Sequence, residues 1–288
     1  MKTEPIYLAG LEVQFYNAQH LCNFILSQRT TEAFAKGGYN NSKLTFQDDK
    51  LVKYEFIDEG VATKVLELQS DLVGMPIPHC EEQTPSLIQF AKDGLHTMGG
   101  TKPDKFRLPE HNGTSPLVYI GCISKDDYLF SWLPFDLHIA FPIYANVVPL
   151  YFDYANPLQP SIINVEQFNK EHSNFEPYIT KASIIEFESA KFNFVTSNSF
   201  YNEDGNTFGH ACLPNFAQTN PLPISPTTGK LMPFVCQLQG GVNMKHCDIM
   251  PVEEYYKDQL RNMNFWGDAS LAIYFEPETK MMCALISH

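Results

Sequence analysis

Leu117-Val118-Tyr119-Ile120-Gly121-Cys122-Ile123 carries no charge over its whole length. A run that is apolar on both alternations suits a central strand buried on both faces. Met232-Pro233-Phe234-Val235-Cys236-Gln237-Leu238 has the same texture, and the same features surround it in the same order. A glycine loop with a proline comes first: Gly99-Gly100-Thr101-Lys102-Pro103 before one run, Gly209 and Pro214 before the other. A variable insert follows. Then comes an aromatic strand ending in Tyr-Phe-acid: Val147-Val148-Pro149-Leu150-Tyr151-Phe152 before Asp153, and Leu271-Ala272-Ile273-Tyr274-Phe275 before Glu276. Repeated order of this kind predicts an internal duplication. The expected fold is α+β, with duplicated, largely antiparallel β-rich modules at 99–160 and 161–288, peripheral helices, and an N-terminal segment 1–98 packed on the same core.

The flanking elements follow from local signals. Asn17 can cap a helix whose apolar face holds Ala18, Leu21, Phe24 and Ile25. Leu51–Ile57 alternates as a half-buried strand should, with Val65-Leu66-Glu67-Leu68 as its partner. Thr84 followed by Pro85 predicts a helix start, with Leu87, Ile88 and Ala91 facing inward and Gly94 closing it. Short helices are expected over 164–171 and from Pro251 to Leu260. Met281–Ile286 should form a terminal hairpin with 271–275 around Pro277-Glu278-Thr279.

Composition narrows the function. The chain has 288 residues, 44% hydrophobic and 18% charged, so it can bury a sizeable core and should fold. Its net charge of -13 is spread along the whole length and repels phosphate backbones and anionic membrane surfaces, while suiting a basic protein partner. Seven cysteines, an odd number with several inside apolar runs and none in a CxxC, read as free thiols of a reducing compartment. The N-terminus lacks the apolar core of a signal peptide, and no apolar run is long enough to cross a membrane as a helix. A cytoplasmic location is therefore expected.

Over residues 95–288 the chain resembles the YwqG-like family, whose biochemical role is not established. Leu213-Pro214-Asn215-Phe216-Ala217-Gln218, the strand Phe234-Val235-Cys236-Gln237-Leu238, and Phe265-Trp266-Gly267-Asp268 leading into Tyr274-Phe275 carry the likeness in the second copy. Gly99-Gly100, Pro103 and the 117–123 strand carry it in the first. The first copy has Cys122 where the family's Gln stands and lacks the Gly-Asp turn. The resemblance implies a duplicated antiparallel α+β fold and supplies no catalytic residues.

No stretch meets the requirements of a known catalytic centre: there is no G-x-S-x-G, P-loop or G-x-G-x-x-G. His79-Cys80, His210-x-Cys212 and His246-Cys247 lack the two-to-four-residue spacing of structural zinc ligands, so no metal or cofactor is assigned. Adjacent acids at Asp48-Asp49, Glu81-Glu82 and Asp126-Asp127 read as solvated carboxylates, while Glu253-Glu254, just after Pro251, read as complementing a helix N-terminus. Gln218, Gln237, Trp266 and Asp268 form the remaining constellation, either bracing a loop of their own module or lining a ligand cleft. The function expected is that of a non-enzymatic cytoplasmic binding protein of acidic surface, one form being an immunity protein that neutralises a basic toxin. The alternative is an enzyme or small-ligand binder with a site between the two modules.

Overall fold

The computed structural model describes residues 85–143, 149–171, 178–197, 199, 208–212, 223, 225–249, 254–265 and 269–287, together with the backbone of five strands N-terminal to these. Those five are β1 (Ile6–Leu8), β2 (Leu11–Phe15), β3 (Asn41–Gln47), β4 (Lys50–Asp58) and β5 (Val61–Glu67). β3, β4 and β5 form an antiparallel meander in which Lys53 faces Glu67, the pair anticipated from the alternation of 51–57. The helix anticipated over 18–25 lies outside the described residues.

From residue 86 the chain builds one large sheet. Its strands are β6 (Ser86–Phe90), β7 (His96–Gly99), β8 (Val118–Ile123), β9 (Leu137–Phe141), β10 (Leu150–Asp153) and β11 (Ser161–Ile162). After β12 (Ile185–Phe187) come β13 (Ser189–Thr196), β14 (Gly209–Ala211), β15 (Lys230–Leu231), β16 (Phe234–Leu238), β17 (Met244–Cys247), β18 (Ser270–Glu276) and β19 (Met281–Ser287). Eleven of them pair in the order β11-β10-β19-β18-β16-β14-β6-β13-β7-β8-β9, every pairing antiparallel. β12 and β17 form a separate ribbon, and β15 adds in parallel to β2. Helix is confined, among the described residues, to α1 (Val165–Phe168), α2 (Glu254–Gln259) and a 3-10 turn at Tyr128–Phe130.

This corrects the α+β expectation of two modules with peripheral helices. The described chain is nearly all β, and its core is one curled half-barrel sheet. The largest departure from the expected helices lies at 85–94. Thr-Pro is a local helix-start signal, but Ser86–Phe90 is hydrogen-bonded on both sides, to β13 and to β14. Tertiary pairing overrides a local preference of this size.

The likeness of the two apolar runs has a geometric counterpart within that sheet. Against β9, β8 pairs Tyr119 with Ala140 and then Gly121 with Ile139, so Ile120 bulges. Against β18, β16 pairs Phe234 with Tyr274 and then Cys236 with Ile273, so Val235 bulges at the same step. On the opposite side Cys122 faces Thr97 of β7, and Gln237 faces His210 of β14. Cys122 thus occupies the sheet position of Gln237. The central pair β6–β13 is symmetric about Gln89↔Asn193, with Ile88↔Phe194 and Phe90↔Phe192 on either side. The strands are therefore not packed as neighbouring modules. β7-β8-β9 extends from β13 and β14-β16-β18 from β6, about a pseudo-two-fold axis in the middle of one sheet.

The inner face holds the main core, with Ile120, Leu137, Phe192, Val235, Phe275 and Met282 buried. A smaller cluster, including Phe234, Tyr274 and Cys283, lies on the other face of β16, β18 and β19. The curl brings the two ends of the sheet together: the buried Tyr154, just past β10, donates its hydroxyl to the His138 carbonyl of β9. Its ring stacks on Phe135 at a centroid distance of 5.9 Å.

Candidate functional site

The connection from β8 to β9, residues 124–136, presents two large aromatic side chains on a tightly held turn. Asp136 ties its two ends together by accepting from the Ser124 hydroxyl (3.2 Å) and the Lys125 N–H (3.0 Å). Asp127 sits just before the 3-10 turn and accepts from the Leu129 N–H at 2.9 Å, filling the donor that a turn start leaves free. Phe130 and Leu133 then point into the core.

What holds Asp127 in place is a buried histidine. His96 Nε2 lies 3.0 Å from Asp127 Oδ2, and His96 Nδ1 accepts the Ser124 backbone N–H at 3.0 Å. A nitrogen that accepts from a backbone N–H carries no proton, so the ring is neutral with its hydrogen on Nε2, donated to the carboxylate. Burial among Phe130, Phe192 and Phe194 pushes the imidazole below its ordinary pKa, against the opposing pull of Asp127. The pair thus links β7 to the turn through a fully bonded polar contact.

Two side chains on this turn face solvent. Tyr128 is 76% exposed and Trp132 is 37% exposed. The Trp132 ring N–H donates to the Leu129 carbonyl at 3.0 Å and the indole lies against Phe275, so its orientation is fixed while part of it stays open. The Ser131 hydroxyl donates to the Tyr128 carbonyl at 3.0 Å. Asp126 and Asp136 are exposed on the same loop, and the Lys125 ammonium lies 2.9 Å from Asp126. By sequence alone Asp126-Asp127 reads as two solvated acids. Asp126 is solvated; Asp127 is buried. Nothing in the sequence marks Tyr128 and Trp132 as exposed, although an acid followed by Tyr-Leu-Phe is a capping signal ahead of buried side chains.

A second polar group lies on β7, β8 and β9. Thr97, Cys122 and His138 are direct cross-strand partners, and the bulge at Ile120 turns Tyr119 to the same face. The Tyr119 hydroxyl and His138 Nδ1 are 3.0 Å apart. Burial pushes the Cys122 thiol up to about 12 and the Tyr119 phenol well above its usual range, and it holds His138 below its ordinary value. A thiol shifted this way stays protonated at neutral pH and is a poor nucleophile. Burial also raises Cys212, Cys236, Cys247 and Cys283. The Cys212 sulfur lies 3.5 Å from the Ser86 hydroxyl, and the His210 ring lies against Phe234. Among the described residues no three His, Cys, Asp or Glu side chains are grouped to hold a metal ion.

Of the constellation Gln218, Gln237, Trp266 and Asp268, only Gln237 falls within the described residues. It is buried in β16, and its side-chain amide donates to the Ser270 hydroxyl of β18. That contact braces two neighbouring strands. No family model, curated protein or solved structure matches this chain at a significant level.

Proposed function

We propose that this chain is a non-enzymatic, cytoplasmic binding protein of acidic surface, diverged from the YwqG-like kind, whose partner is a basic protein. Neutralisation of a basic toxin is the specific form this reading takes. The observation that carries it is Tyr128, 76% exposed on a turn anchored from beneath by the buried His96–Asp127 pair. Rigid exposed Tyr and Trp side chains contribute large contact areas at little cost in conformational entropy, which is why they dominate binding hot spots. The charge of -13 supplies long-range attraction for a cationic partner and speeds encounter. The alternative, a small-ligand site using Gln218, Gln237, Trp266 and Asp268, is disfavoured by Gln237, whose amide is already committed to Ser270.

The test is affinity purification of the intact chain from its own cell at physiological salt. A stoichiometric basic protein that rebinds at nanomolar affinity, with an association rate that falls as salt rises, supports the reading. Recovery of background alone counts against it.

A further inference from the structure

We infer that the partner is held through arginine side chains stacked on the exposed rings of the 124–136 loop, Tyr128 and Trp132, with the carboxylates of Asp126 and Asp136 as counter-charges. The inference rests on the binding reading above and adds to it the place of contact and the chemistry of the contacting group.

Four features of the 124–136 loop converge on that occupant. First, aromatic ring faces carry negative electrostatic potential, so exposed tyrosine and tryptophan attract cations as well as apolar groups. Second, the exposed acids of this loop, Asp126 and Asp136, are of the sign that draws a cation toward those rings, and the whole chain reinforces it at -13. Third, the Trp132 ring is oriented before any partner arrives, by its bond to the Leu129 carbonyl and by its contact with Phe275. A planar guanidinium gains most from a fixed plane, because it can stack and donate forked hydrogen bonds to a carboxylate at once. Fourth, the loop already holds a cation on one of these carboxylates: the Lys125 ammonium lies 2.9 Å from Asp126, both side chains being well exposed. Exposed pairs of this kind are weak and readily exchanged. Lys125 therefore acts as a competitor for the incoming group, and its removal strengthens binding.

A wholly apolar partner patch fits less well. It would have to desolvate Asp126 and Asp136 without replacing their bonds to water. An acidic or phosphorylated partner would meet like charge.

The intact, isotope-labelled chain is titrated with hexa-arginine, hexa-lysine and hexa-glutamate, and amide and indole N–H shifts are followed by NMR. Trp132→Phe assigns the indole signal. With hexa-arginine the largest shifts should fall on the Trp132 indole and the amides of 125–136. Hexa-lysine should bind several-fold more weakly, and hexa-glutamate should cause no shift there. Tyr128→Ala, at a solvent-exposed position, should weaken hexa-arginine by about tenfold, and Lys125→Glu should strengthen it. Shifts centred elsewhere, with the loop unmoved, overturn the inference and leave the acidic-surface reading standing. Equal affinity for the two cationic peptides overturns the stacked-guanidinium assignment. Binding of neither peptide overturns the inference together with the charge argument beneath it.

Discussion

Replacing Asp127 by alanine removes a carboxylate that makes two bonds at once, to His96 Nε2 and to the Leu129 N–H. The His96 ring is fully buried, so its N–H would lose its only carboxylate acceptor. A buried donor left without an acceptor costs about 1–3 kcal/mol. Loss of the capping bond at the turn adds roughly 1 kcal/mol. Asp127→Ala should therefore lower the unfolding free energy by about 2–4 kcal/mol, a serious loss against a total of roughly 5–15 kcal/mol. Asp127→Asn should fall between, because one amide oxygen can serve only one of the two donors well. His96→Phe keeps the aromatic packing with Phe130, Phe192 and Phe194 but strands the carboxylate, so it should cost about as much as Asp127→Ala or more. The double variant His96→Phe with Asp127→Ala should be milder than the sum of the two, since neither polar group is then orphaned. Urea unfolding followed by fluorescence measures all four, with m-values compared to confirm a common denatured state. A loss below about 1 kcal/mol for Asp127→Ala, or additivity in the double variant, would refute the claim that this pair pins the turn.

Acid should destabilise the fold. His96 has its folded pKa below the ordinary 6.5, so the unfolded chain takes up its proton first and stability falls as pH drops below that value. The slope for one such fully neutral group is at most about 1.4 kcal/mol per pH unit. His111 and His138 act in the same direction, and thermal unfolding between neutral pH and mild acid reads the sum. Gly99→Ala should cost more than about 2 kcal/mol, because Gly99 has φ +68 and an added Cβ would sit 2.2 Å from the Glu188 carbonyl oxygen. Cys212 sits at the equivalent place in the other half-sheet with the same φ of 68, so Cys212→Gly should be close to neutral, relief of backbone strain offsetting the lost side-chain contacts. Cys236 and Cys283 should resist alkylation at neutral pH until the chain unfolds, as both are buried and their thiols are held protonated. Quick labelling of either in the native protein would contradict their placement.

Much of the sheet could be read from the chain, and the reasons are local. Leu271–Phe275 and Met281–Ile286 are adjacent apolar runs with a turn between them, and they pair as β18 and β19 with Ile273 facing Ala284. The correspondence of 117–123 with 232–238 is legible because both runs are apolar on both alternations and stand in the same order among their neighbours, and the two strands share a bulge at the same step even where Cys122 stands in place of Gln237. The α+β expectation fails because Thr84-Pro85 states a local preference, whereas the conformation of 86–90 is decided by β13, about a hundred residues downstream. The candidate site was hidden for a similar reason. Asp126 and Asp127 look alike in sequence, and the partner that draws one of them inward, His96, lies 31 residues earlier. The structural core could be inferred from nearest neighbours in the chain; the site depends on contacts across strands.

The pairing of β6 with β13 joins the two halves of the sheet and seats β7, with His96, under the aromatic turn. Cross-strand nuclear Overhauser effects in the labelled chain test it directly. Contacts between the backbones of Gln89 and Asn193, flanked by Ile88 with Phe194 and Phe90 with Phe192, are the result expected. A continuous series of sequential amide–amide effects over 86–94, with no cross-strand contacts, would mean that this segment is the helix its local sequence suggests, and the sheet described above could not exist.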